Sequence, residues 1–171
     1  MKILITTLFS VCMFIAQDAS AINATYELKW DKGNLPFEVK TFTSLLSGSR
    51  RIGETGIVGD ATNFPGLIEM KDAKVLVEDN REKTLILMIK NTSKKRIKFS
   101  VAPHSTKPGE SALGFSFQCL CNGHIYEVGP NELWYRIMKL TQRKNETKDL
   151  IVLEHAIFEV TPKSKLQAHH H

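Results

Sequence analysis

The sequence predicts an all-β fold, an immunoglobulin-like β-sandwich of about seven to eight strands. Three observations lead there. Apolar residues fall in short, strand-length runs with no sustained helical periodicity. Turn signals separate the runs, among them Asp31-Lys32-Gly33-Asn34, Asn122-Gly123 and Gly129-Pro130-Asn131. Some runs alternate apolar and polar residues, as a strand with one buried face requires.

Tyr26 to Trp30 reads as the first strand and Phe37 to Phe42 as the second. Ser44 to Thr62, rich in Gly, Ser and Arg, reads as a long loop or an irregular hairpin. Ala73 to Val77 is strand-like and is followed by a polar turn, Glu78 to Glu82. Leu85 to Ile89 is a continuous apolar run, as in a strand covered on both faces. Asn91 to Lys95 turns the chain, and Arg96 to Val101 then sets Ile97, Phe99 and Val101 on one face. His104 to Ser111, holding Pro108-Gly109, reads as a loop. Leu113, Phe115, Phe117, Cys119 and Cys121 recur at every second position, so on an extended strand they share a face, ended by the Asn122-Gly123 turn. Tyr126 to Val128, Leu133 to Leu140 and Leu150 to Val160 complete the strands, with a charged excursion at Thr141 to Asp149.

The N-terminus carries Met1-Lys2, an apolar core from Ile3 to Ala16 and Ala19-Ser20-Ala21, the pattern of a secretory signal peptide cleaved after Ala21. An uncleaved anchor is the alternative, disfavoured because a spanning helix needs roughly 20 apolar residues. The expected organisation is therefore a signal peptide at 1–21, N-terminal strands and an irregular loop region at 22–63, the sandwich proper at 64–162 and a polar tail at 163–171. The chain is expected to be periplasmic or otherwise exported. Its net charge of +5 is spread out, densest at Lys94-Lys95-Arg96, and reads as a solvated surface with no nucleic-acid partner. Such a surface is suited to association with anionic lipid heads or an acidic protein. Asn23, Asn91 and Asn145 each open an N-x-Ser/Thr sequon.

After cleavage Cys119 and Cys121 are the remaining cysteines. A disulfide between them would close almost no loop, so stability is a poor reason for the pair and chemistry a better one. They stand in Gln118-Cys119-Leu120-Cys121-Asn122-Gly123-His124. Two thiolates two positions apart can close on one ion where a strand ends, and His124 can bring an imidazole to it. Thiolates select soft metals. Two cysteines and a histidine are too few for a closed structural zinc site, which takes four protein ligands, and no further cysteine completes an iron–sulfur cluster. Copper(I), content with two or three ligands, fits best. The C-x-C-x-x-H spacing excludes c-type haem attachment, which needs C-x-x-C-H. His104, Cys119, His124 and Met138 stand in a blue-copper-like order, but a vicinal second cysteine favours the reduced ion. The metal ligands expected are therefore Cys119, Cys121 and His124. His104 reads as an exposed loop histidine, Met138 as core filler, and His155 as a partly buried strand residue.

At these residues the chain resembles the membrane-tethered copper chaperones that load the copper-B site of cytochrome c oxidase (the CtaG type). Gln118-Cys119-Leu120-Cys121 stands where that family has a C-F-C-F core, and Val128-Gly129-Pro130-Asn131-Glu132 near its P-G-E turn. Leu85 to Pro103 is similar to its two strands joined through an Asn-Pro-Thr turn, and Val152 to Val160 takes the place of its last strand. Asn122 replaces the second Phe of the core, and Leu133 to Met138 replaces an M-P-V motif. The resemblance implies an immunoglobulin-like fold, copper(I) on Cys119 and Cys121, no enzymatic activity, a copper-accepting partner such as an oxidase subunit, and homodimers that share metal. Two alternatives stay open: a thiol–disulfide protein using the C-x-C pair, and a non-catalytic interaction module. No nucleophile elbow, P-loop or H-E-x-x-H pattern is present.

Overall fold

The computed structural model of the chain describes residues 23–44, 54–59, 66–120, 122–143 and 150–161. The expected signal peptide, the polar tail and Cys121 lie outside them.

Alternating burial drives the architecture. In β1 (Ala24–Asp31), Ala24, Tyr26 and Leu28 point inward and are buried, while the residues between them are partly exposed. In β12 (Ile151–Glu159), Ile151, Leu153, His155 and Ile157 do the same. The two strands pair in parallel, with Tyr26 opposite Ile151 and Trp30 opposite His155. Around them stand β5 (Lys74–Val77), β7 (Ile97–Val101), β8 (Ser105–Lys107) and β10 (Tyr126–Val128). They form a six-stranded sheet in the order β10-β7-β12-β1-β5, with β8 also paired to β12.

The second sheet is built on β6 (Glu82–Asn91) and β11 (Leu133–Gln142), flanked by β2 (Phe37–Ser44), β3 (Thr55–Val58), β4 (Leu67–Glu69) and β9 (Phe115–Gln118). Its order is β3-β11-β6-β2-β4, with β9 also paired to β11. The apolar run of β6 is covered on both faces. Leu85, Leu87 and Ile89 enter the main core, and Ile86 and Met88 join Phe42 and Tyr135 in a smaller cluster. The main core draws on both sheets, so the molecule is an immunoglobulin-like β-sandwich with no α-helix among the described residues. No helix among them is long and apolar enough to cross a membrane.

The fold class is as expected, but the strand inventory is longer. β3 falls within Ser44 to Thr62, read as a long loop or an irregular hairpin, and β8 within the loop His104 to Ser111. Both are three or four residues long, too short for period-two alternation to show in sequence. The expected strand from Leu113 to Cys121 is cut to β9. Leu113 ends a 3₁₀ turn and is 93 % exposed, and pairing with β11 stops at Gln118. Asn91 is fully buried at the end of β6. Its Nδ2 donates to the carbonyls of Lys95 (2.7 Å) and Val128 (3.2 Å), and its Oδ1 accepts from the Ser93 N–H at 2.9 Å. That side chain is spent on holding turns together and is no glycan acceptor in the folded protein.

Candidate metal centre

Three strand-edge events bring one thiol position and two imidazoles together. β8 pairs antiparallel with β12, Ser105 opposite Glu154. Continuing that register by one residue sets His104 opposite His155, and their ring centroids are 5.4 Å apart. Lys107 reinforces the pairing from outside with a 2.7 Å ion pair to Glu154, whose carboxyl it holds below the usual range. Cys119 arrives from the other sheet, immediately past β9. Phe115 and Phe117, four and two residues before it, pack on the same imidazoles: Phe115 is 6.0 Å and Phe117 5.7 Å from His104, and Phe117 is 5.7 Å from His155. The shared face read for Phe115, Phe117 and Cys119 is therefore realised, although the strand itself ends at Gln118, just before Cys119.

Donor atoms of His104, Cys119 and His155 lie within 4.8 Å of one another. Cys119 Sγ is 3.9 Å from His104 Nδ1. Leu120, fully buried, anchors the segment just past the sulfur, and a 2.8 Å bond from the Asn122 N–H to the Leu120 carbonyl tightens it. Cys119 is disulfide-bonded, its partner lying outside the described residues. Poor loop closure argued against a structural disulfide here, and that argument concerns stability alone. A sulfur held in a disulfide is no thiolate, so ligation through it requires reduction first.

His155 is the most informative member. It is 2 % exposed, yet neither ring nitrogen has a hydrogen-bond partner among the described residues. Leaving a buried polar atom unpaired costs about 1–3 kcal/mol, so a native fold keeps one only for a reason, of which binding an ion is one. Burial pushes its pKa down to about 4, with repulsion from His104 adding to the effect. The carbonyls of Leu153 and Lys29 act in the opposite sense without reaching hydrogen-bond geometry. Burial also lowers the pKa of His104. Both rings are thus neutral near pH 7, the form in which imidazole binds metal. Trp30 stacks on His155 with centroids 4.2 Å apart and planes at 24°. Beside this pair an open groove of about 630 Å³, bordered by Asp31, Pro103, Ser105 and Glu154, reaches His155.

The ligand set expected from sequence was Cys119, Cys121 and His124. The structure gathers Cys119 with His104 and His155, and Cys121 lies outside the described residues. His124 is not one of the three. It is exposed, with Nδ1 3.4 Å from Asn122 Nδ2, and its carbonyl accepts a 2.9 Å bond from Ser100 Oγ. His155 escaped the sequence reading as a donor. Its signal was there: a histidine in the inward row Ile151, Leu153, His155, Ile157, where an ordinary core would place another aliphatic residue.

No curated protein and no solved structure matches the chain. A family profile described as a domain of unknown function, DUF8709, matches residues 24–160. That span takes in every strand from β1 to β12 and all three clustered donors, and the chain belongs to this family.

Proposed function

We propose that the chain is an exported copper(I)-binding protein, a chaperone or buffer, whose metal is held by His104, Cys119 and His155, with Cys121 as a further thiolate. The observation that carries this is the cluster of three donors around an imidazole that is buried and unpaired on both nitrogens. The donors suit the ion. One thiolate and two neutral imidazoles are soft to intermediate, and copper(I) is satisfied by three such ligands. Cys121 would complete a Cys₂His₂ set that zinc also accepts, so the choice of copper(I) rests on the resemblance to copper chaperones and is decided by the titration below. The resemblance to copper-B chaperones supports a copper-accepting partner, with an oxidase subunit as the implied client.

Anaerobic copper(I) titration of reduced protein against a chromophoric chelator tests the reading. His169, His170 and His171 are replaced by alanine to remove their own affinity for metal. Tight uptake is expected, and Cys119→Ser or His155→Ala should each weaken it by more than the roughly 10–100-fold that a change outside the ligand set costs. His124→Ala should have little effect. Absence of uptake, or preferential uptake of zinc, sinks the copper assignment. One ion per two chains would favour metal shared across a dimer.

A second reading has one observation in its favour, the disulfide at Cys119. A thiol–disulfide protein needs an activated thiolate, usually beside a helix N-terminus or a basic group. His104 is near enough to help, but burial keeps it neutral. Reduction of insulin by the metal-free protein would favour this alternative.

A further inference from the structure

Imidazoles that bind metal usually donate their second ring N–H to a carboxylate or carbonyl, and that bond fixes the ring's orientation. His155 has no such bond on either nitrogen among the described residues. Something else must aim it. Trp30 sits directly opposite on the neighbouring parallel strand and covers one face of the ring, 4.2 Å away and nearly parallel. The indole is itself tied down: its Nε1–H donates to Thr41 Oγ1 at 3.0 Å, across the sandwich on β2. Thr41 is buried, so this bond is partly shielded from solvent competition. Phe117 meets His155 edge-on, at 76° and 5.7 Å, which hinders rotation toward β9.

From this arrangement we infer that Trp30 is the positioning residue of the metal centre, holding His155 by ring stacking where other sites use a hydrogen bond, and holding its own indole through Thr41. The role rests on the copper(I) reading above. Stacking constrains the plane of the imidazole while leaving both nitrogens unengaged. The ring is therefore aligned before the ion arrives, and little side-chain freedom is lost on binding. The indole also lies against the ligand, so its emission is sensitive to what the ligand carries. The other tryptophan, Trp134, packs on Phe99 and Tyr126 in the core.

The test compares copper(I) affinity and tryptophan emission in reduced full-length protein and in Trp30→Phe, Trp30→Leu and Thr41→Val, each with the three C-terminal histidines replaced. Phe keeps a stacking face and should bind within about 3-fold of wild type, whereas Leu should lose roughly 10–100-fold, the usual cost of removing a group that orients a ligand. Thr41→Val, which frees the indole without removing it, should fall between them. Copper(I) should change the emission of wild type but not of Trp30→Phe, which retains Trp134. Folded Trp30→Leu protein that binds as tightly as wild type overturns the positioning role and leaves the copper reading standing. So does a Phe variant as weak as Leu, which would mean that lost packing rather than lost stacking is at work. Should Trp30→Leu not fold, wild-type emission indifferent to copper(I) overturns the role. Wild type that takes up no copper(I) overturns both readings together.

Discussion

A histidine buried with both ring nitrogens unpaired is a liability, and His155 allows its cost to be measured. Leucine at 155 keeps much of the volume and removes both unpaired nitrogens. His155→Leu should raise the stability of the metal-free protein at pH 7 by about 1–3 kcal/mol while abolishing copper(I) uptake. A large loss of stability instead would show that the imidazole has a protein partner. The pH dependence has a definite sign. The folded pKa of about 4 lies below the ordinary value of 6.5, so between them the unfolded chain binds more protons than the folded one. The full contribution of neutral His155 is present above about pH 6.5, is lost progressively as pH falls toward 4, and changes no further below that. The loss, on the order of 3 kcal/mol, should be visible in urea denaturation of wild type and reduced in His155→Leu, where His104, also lowered by burial, still titrates. At this scale the sequence pointed to Cys119, whose alternation with Phe115 and Phe117 placed it correctly. The inward row of β12 marked His155 as unusual but not as a neighbour of His104, because the register of β8 on β12 is a long-range fact that local periodicity does not carry.

The long strands were legible because their inward rows are apolar over several alternations, as in β1, β7 and β12, or wholly apolar where both faces are covered, as in β6. The short ones were not. β8 is Ser-Thr-Lys and owes its existence to β12 rather than to its own side chains. The same logic explains the donors: each stands beside a strand end or within a strand whose neighbour is distant in sequence. The turn at the end of β6 illustrates a local device that sequence does suggest. Asn91 closes it with side-chain bonds to Lys95, Val128 and Ser93, while its backbone bonds Glu132 and Asn131 across to the next turn. Asn91→Ala strips the buried Val128 carbonyl, and the carbonyl of the exposed Lys95, of a donor. It should cost about 2–4 kcal/mol, read as a lower urea midpoint with an unchanged slope, since the extent of unfolding is the same. A loss below 0.5 kcal/mol would mean that water replaces the amide and that the turn is held by its backbone alone.

On the scale of the whole molecule the three clustered donors come from both sheets. His104 and His155 come from the edge and middle of one, Cys119 from the end of a strand in the other, so an ion bound by all three is bonded to both layers. Binding to the folded state alone adds RT ln(1 + [L]/Kd), about 2.7 kcal/mol when free copper(I) is 100 times the dissociation constant. For a chain of this size that corresponds to a rise in Tm of about 5–10 °C. The disulfide at Cys119 competes for the same sulfur, so the rise should be confined to reduced protein. In the reduction each disulfide takes two electrons and two protons from a dithiol to yield two thiols, of which Cys119 then releases its proton to solvent as its thiolate binds the metal. Differential scanning calorimetry of oxidised and reduced protein, with and without copper(I) under anaerobic conditions, separates the effects. Equal stabilisation of both forms would place the ion away from Cys119. Stabilisation of the reduced form alone, lost in Cys119→Ser, is the outcome that joining two sheets through one metal requires.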